Sequence, residues 1–244
     1  ITEVAARKSQ LVRTDSRGRT ETLAANLTLL AVVLAPEPTP DFFIVDRYLA
    51  GAAYAGLHAL VILNKTDLVA PDTDFLREYR DAGYRALSIC AKSGAGIADL
   101  RAAVDGEMFL LAGQSGVGKS KITNALLPES QRPTRELSNA SGEGRHTTVS
   151  SALFYLDANT ALIDSPGVRD YAPAPLADDK VQVGWREILT RAPHCRFNDC
   201  LHLREPDCAV LAAIQTKEIS ARRYESYKRL LNIMRGLLPS HERK

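Results

Sequence analysis

Apolar residues recur along this chain in short runs of strand length: Leu27 to Ala35, Ala59 to Leu63, Ala86 to Cys90, Met108 to Ala112, Ala152 to Leu156 and Thr160 to Ile163. Between them lie amphipathic stretches, 42–54, 74–82 and 97–104, that read as helices. Strands apolar at nearly every position are buried on both faces, so the alternation predicts a largely parallel sheet covered by helices on two sides. A further helix is predicted over 119–127, stopped by Pro128, and another from about Ser220 to Gly236. The stretch Pro133 to Gly144, rich in Ser, Gly and charge, reads as a long mobile loop. The first 22 residues are polar and basic, with Arg7, Lys8, Arg13, Arg17 and Arg19; they read either as the end of a small β-rich domain or as a solvated arm. Beyond Pro175 the strand pattern stops.

Composition narrows the class. With 244 residues, 45% hydrophobic and 25% charged, the chain can bury one sizeable core and a smaller module. No apolar stretch approaches a bilayer span, so the chain is expected in the cytoplasm, as a monomer with no membrane partner. It opens on Ile rather than Met, and a preceding segment is expected. The net charge of +2 is too small to imply nucleic acid by itself, but Lys217 to Lys244 holds eight Lys or Arg against three Glu. Basic segments at both ends fit an RNA partner; solvated helix charge is the alternative.

The phosphate site is the strongest local signal. Gly113-Gln114-Ser115-Gly116-Val117-Gly118-Lys119-Ser120 follows a predicted strand and opens a predicted helix, the context this motif requires. Glycines let the backbone fold tightly, so its N–H groups and the helix N-terminus form a concave anion site. Lys119 is expected to bridge the β- and γ-phosphates, with the Ser120 hydroxyl on Mg²⁺ and Lys121 alongside. Asp164, ending a strand in Asp164-Ser165-Pro166-Gly167, is expected to hold the same metal, and the Gly167 N–H to reach the γ-phosphate.

Base reading falls to Asn64-Lys65-Thr66-Asp67, with Leu68 beside it. The Asp67 carboxylate can accept from guanine N1–H and the exocyclic amine, a donor pair that adenine lacks. Lys65 is expected along the base, Asn64 as the tie to the phosphate loop, and the Ala91 N–H of Cys90-Ala91-Lys92 on guanine O6. These motifs come in an unusual order, since in an ordinary GTPase the phosphate loop leads; a circular permutation explains it. The segment that senses the γ-phosphate then runs directly into whatever follows it.

Gly144-Arg145-His146-Thr147-Thr148 offers threonines to cap Mg²⁺. After Gly167 stands Val168, which cannot hold the attacking water, so a slow intrinsic rate is expected. His146 is the internal candidate for water positioning, with a structural histidine as the alternative.

Cys195, Cys200, His202 and Cys208 follow the spacing C-x₄-C-x-H-x₅-C, a complete tetrahedral set for one structural zinc. Disulfides are the competing reading, disfavoured in a reducing compartment. So small a segment buries little core, and metal binding would supply its folding free energy.

Together the permuted order, GQSGVGKS, GRHTT, DSPGVRD and CRFNDCLH…C closely resemble the bacterial ribosome small subunit-dependent GTPase A family over almost the whole chain. The resemblance implies the end of an OB-fold domain over residues 1–22, a circularly permuted α/β P-loop GTPase domain over 23–174, and a mostly helical zinc domain over 175–244. It implies GTP hydrolysis stimulated by the small ribosomal subunit late in its maturation, with rRNA contacts. It also implies a catalytic role for His146. One departure is Cys90, where serine is usual, which is expected to loosen the guanine loop without changing its specificity. The alternatives from other classes are a non-catalytic GTP-dependent assembly module and a P-loop kinase or ATPase, the latter disfavoured by Asp67.

Overall fold

A computed structural model of the chain describes residues 6–14, 20–70, 73–128, 152–165, 171 and 173–237. The expected mobile loop 133–144 and Val168 lie outside them.

Strands β3 (Leu29–Leu34), β4 (His58–Leu63), β5 (Arg85–Ser88), β6 (Met108–Ala112), β7 (Ala152–Tyr155) and β8 (Ala161–Asp164) form one sheet in the order β5-β4-β3-β6-β8-β7. All pairings are parallel except β7 with β8. Side chains alternate across a strand, and β3 shows it: Leu30, Val32 and Leu34 enter one core, Leu29, Ala31 and Val33 the other. Helix α1 (Phe42–Tyr54) covers the first face. Helices α3 (Ile97–Ala103) and α4 (Lys119–Leu126) cover the second through Leu100, Ile122 and Leu126. Short α2 (Arg77–Asp81) packs beside β5. The order β3, β4, β5 before the phosphate-loop strand β6 is the permutation in three dimensions, with β6 central.

The N-terminal region is not a solvated arm. Strands β1 (Gln10–Thr14) and β2 (Thr20–Ala25) pair antiparallel, and Leu11, Leu23 and Leu27 join the core beneath α1.

C-terminal to the sheet the chain is helical: α5 (Asp178–Val181), a 3₁₀ turn Gln182–Gly184, α6 (Arg186–Arg191), α7 (Ala209–Gln215) and α8 (Ala221–Leu237). These build a third core around Trp185, Tyr227, Leu230 and Leu231, to which α1 contributes Phe43 and Ala50. Helix α1 therefore lies between two cores, which explains why apolar side chains emerge from more than one of its faces.

Tyr171, the next described residue after Ser165, is held on α1. Its ring stacks on Tyr48 at 5.4 Å and is buried against Gly51 in the middle of α1. A Cβ on Gly51 would overlap that ring. Pro173 then makes a bridge to Arg13 of β1. Gly51→Ala gains up to about 1 kcal/mol of helix propensity, yet it is expected to destabilise by roughly 1–3 kcal/mol through overpacking. In a Tyr171→Ala background the same substitution is expected to stabilise. Thermal melts of the four-protein cycle check this; equal effects of Gly51→Ala in both backgrounds would remove the socket.

Candidate functional site

The two nucleotide loops meet at one buried amide. Asn64, at the carboxyl end of β4, is 1% exposed. Its Nδ2 donates to the Val117 carbonyl of the phosphate loop at 2.9 Å, and its Oδ1 accepts from the Ala91 N–H at 3.0 Å. One side chain thus joins segments from positions 64, 91 and 117. The approach is so close that a Cβ on Gly118, at φ 96°, would overlap the Asn64 amide, so only glycine serves there.

Lys65 donates from Nζ to the Glu37 carbonyl at 2.7 Å, and the Asp41 N–H donates to Gln114 Oε1 at 3.2 Å. These bonds pin the turn after β3 against the phosphate loop. Lys119 Nζ lies over that loop and donates to the carbonyls of Gly113 and Gln114 at 2.7 and 2.8 Å. Ser115, Gly116 and Ser120 are exposed at the mouth, whereas Gly113 and Val117 are buried. Asp164 ends β8, the direct neighbour of β6, so it stands at the same carboxyl end of the sheet as the loop that leads to Ser120. A hydroxyl and a carboxylate are the hard oxygen donors that Mg²⁺ takes.

Beside the loop lies a cavity of about 200 Å³ lined by Asn64, Lys65, Asp67, Leu68, Cys90, Ala91, Lys92 and Lys121. That is room for a single heterocyclic base. The Cys90 thiol donates to Asp67 Oδ1 at 3.3 Å. A thiol is a weaker donor than the serine hydroxyl usual at this position, so this contact restrains the carboxylate only lightly. The Ala91 N–H, expected on a base oxygen, serves Asn64, so a base would have to share it.

His146, Thr147, Thr148 and Gly167 lie outside the described residues.

A second site stands in the C-terminal helices. Cys195, Cys200, His202 and Cys208 offer ligand atoms all within 4.8 Å of one another, and no cysteine is in a disulfide. Cys195 Sγ and Cys208 Sγ are 3.8 Å apart, and His202 Nδ1 lies 3.5 and 3.4 Å from them. A tetrahedron with metal–sulfur arms of about 2.3 Å has edges of about 3.8 Å, and somewhat shorter ones to nitrogen. The donor set fits a tetrahedral metal. Burial pushes the Cys200 thiol up to about 12, and Cys208 in the same direction. Burial also lowers His202, outweighing the Glu205 charge. Thiols raised like those of Cys200 and Cys208 lose their protons most readily to a compensating cation.

What the sequence did not reveal is how this module sits on the sheet domain. Asp46 of α1, fully buried, accepts from Arg223 Nη1 at 2.6 Å and from Arg222 Nη1 at 2.7 Å. Arg223 in turn holds Glu187 through two bonds, at 2.5 and 3.1 Å. Arg222 also pairs with Glu78, which accepts from the Ser220 hydroxyl. The partners lie up to 177 positions apart, and no local pattern announces them.

A family model described as RsgA GTPase matches residues 4–173. The chain is 41% identical over 233 residues to the small ribosomal subunit biogenesis GTPase RsgA of Pseudomonas aeruginosa (strain LESB58), covering 93% of this chain and 69% of that protein. The protein of the same name from Azotobacter vinelandii is 40% identical over 230 residues, covering 92% and 67%. Among solved structures, YjeQ from Thermotoga maritima superposes with a TM-score of 0.73 at 27% identity, covering 96% of this chain and 78% of that one. YloQ, described as a circularly permuted GTPase, superposes at 0.74 with 20% identity, covering 97% and 75%; at that identity the likeness speaks to fold alone.

Proposed function

This chain belongs to the RsgA GTPase family, and from that premise we propose that it hydrolyses GTP to GDP and phosphate and acts in the biogenesis of the small ribosomal subunit. The observation that carries the reading is the Asn64 amide, which brings the base loop, the Ala91 loop and the phosphate loop to one place.

In this reading Asp67 reads the guanine edge, with Lys65, Leu68, Cys90, Ala91, Lys92 and Lys121 enclosing the base. Residues Gly113 to Ser120 hold the phosphates, and Lys119 turns its ammonium from the loop carbonyls to the β- and γ-oxygens. Ser120 and Asp164, with Thr147 or Thr148, would hold Mg²⁺, whose charge offsets the negative charge shared among the phosphate oxygens. Water positioning is assigned to His146, with the Gly167 N–H on the γ-phosphate. The Cys₃His set holds zinc as a structural ion. The work is divided among an OB-fold end over 1–22, the GTPase domain over 23–174 and the zinc domain over 175–244, with the basic ends on rRNA. The cell compartment is the cytoplasm and the active form is a monomer. No helix among the described residues is long and apolar enough to cross a membrane.

Turnover measured with and without purified small ribosomal subunits tests this. Partners that complete a GTPase site add up to about 10⁵-fold, so a rise of about tenfold or more is expected. GTP-dependent binding to the subunit with no turnover in either condition would replace the enzyme by an assembly switch.

A further inference from the structure

The segment between the nucleotide domain and the metal site is fastened at several points. After Tyr171 in its α1 socket and Pro173 on β1, Asp178 accepts from Arg235 Nε of α8 at 2.6 Å. The Val181 carbonyl accepts from the Tyr54 hydroxyl of α1 at 2.8 Å, and Gly184 packs on Ala50. Between these last two stands Gln182.

The amide of Gln182 has one possible orientation. Its Nε2 donates to the Asp179 carbonyl at 3.0 Å, so the atom facing His202 is the oxygen. That Oε1 lies 2.9 Å from His202 Nε2. Two acceptors cannot share a hydrogen bond, so Nε2 must carry the hydrogen. A neutral imidazole has one N–H, and Nδ1 therefore keeps its lone pair. Nδ1 is the atom aimed at the Cys195 and Cys208 sulfurs. The backbone on either side is held as well: Tyr227 donates to the Leu201 carbonyl at 2.9 Å and Tyr224 to the His202 carbonyl at 2.6 Å.

We infer that Gln182 is a positioning residue for the metal centre: through Nε2–H it fixes the tautomer and ring plane of His202, and it thereby links metal affinity to the docking of the 171–184 segment on α1. This rests on the metal reading above. An acceptor on the far nitrogen of a ligating histidine orients the ring and raises its basicity, and losing such a partner typically weakens metal binding by about 10–100-fold.

Co²⁺ titration of the full chain, followed by thiolate-to-metal charge transfer and by competition with Zn²⁺, separates the possibilities. Gln182→Leu is expected to bind both ions about 10–100-fold more weakly than the parent. Gln182→Glu, which keeps an acceptor for Nε2–H, is expected to recover part of the loss. If Gln182→Leu binds like the parent, the positioning role is overturned while the metal site stands. A parent that binds neither ion sinks the metal reading itself. ¹⁵N shifts of the His202 ring in the Zn²⁺-loaded parent need no variant: metal on Nδ1 with the hydrogen on Nε2 supports the inference, and metal on Nε2 overturns it even if the leucine variant fails to fold.

Discussion

Replacing Asp67 with asparagine is expected to weaken GTP binding by about 10²–10³-fold and to make xanthosine triphosphate the preferred nucleotide. The carboxylate lines the cavity beside the phosphate loop, and its Oδ1 accepts from the Cys90 thiol. Guanine would present two donors to it, N1–H and the C2 amine. Hydrogen bonds to a charged acceptor are worth roughly 1.5–3 kcal/mol each, and each 1.4 kcal/mol is tenfold in affinity. Asparagine keeps an acceptor for N1–H but turns an amine toward the C2 amine, so two donors face each other as the base closes off water. Xanthine carries a C2 carbonyl, which accepts from that same amine. Asp67 is exposed in a 3₁₀ turn (Thr66–Leu68), and its replacement leaves the core untouched. Competition of GTP and xanthosine triphosphate against a fluorescent guanine nucleotide measures both affinities. An unchanged base preference would withdraw the assignment of residues 64–68.

The elements were legible where the chain carries its own stop and start signals. Helix α1 matches its predicted limits, 42–54, because Asp41 caps it, its Oδ1 accepting from the Phe43 and Ile44 N–H groups. Strand β6 ends as expected because the phosphate loop begins at Gly113. The helix expected over 74–82 narrows to Arg77–Asp81, since the Asp74 carboxylate accepts from the Leu76 N–H and commits that stretch to a turn. Helices α5, α6 and α7 span only four to seven residues, two turns or fewer, and no separate element was expected between Pro175 and Ser220. Motifs whose chemistry is local, the Cys₃His spacing and the phosphate loop, could be read in one dimension. Gln182 could not: an outer partner of a ligand has no fixed spacing from it. Nor could Tyr171, whose signal is a glycine in the middle of a helix 120 positions earlier.

Asp46→Ala is expected to have the largest effect on stability, roughly 3–5 kcal/mol, and to loosen the C-terminal helices from the nucleotide domain before either part melts. Asp46 and Arg223 are both essentially without solvent contact. Burial works against the charge of Arg223, but Asp46 and Glu187 outweigh it and hold the guanidinium firmly protonated. Without Asp46 the carboxylate left to that cation among the described residues is Glu187, and the one left to Arg222 is Glu78. The cost is mainly that of a buried charge left half paired, so it should not be additive. Asp46→Ala combined with Arg223→Met is expected to lose less than the sum of the two. At the rim of the same network burial works against the charge of Glu78, but the Ser220 and Arg222 hydrogen bonds outweigh it and hold the carboxyl below its ordinary value. A depressed carboxylate contributes stability above its unfolded value and loses it as pH falls through the folded one. The interface should therefore be intact at neutral pH and weaken in acid. Trp185, the single tryptophan, is buried among the C-terminal helices and meets Tyr227 edge-on at 5.5 Å, so its emission reports docking separately from far-UV dichroism. In Asp46→Ala the tryptophan transition should precede the loss of helix. Coincident transitions at the parent's temperature would show that the Asp46 network is not what holds the two parts together.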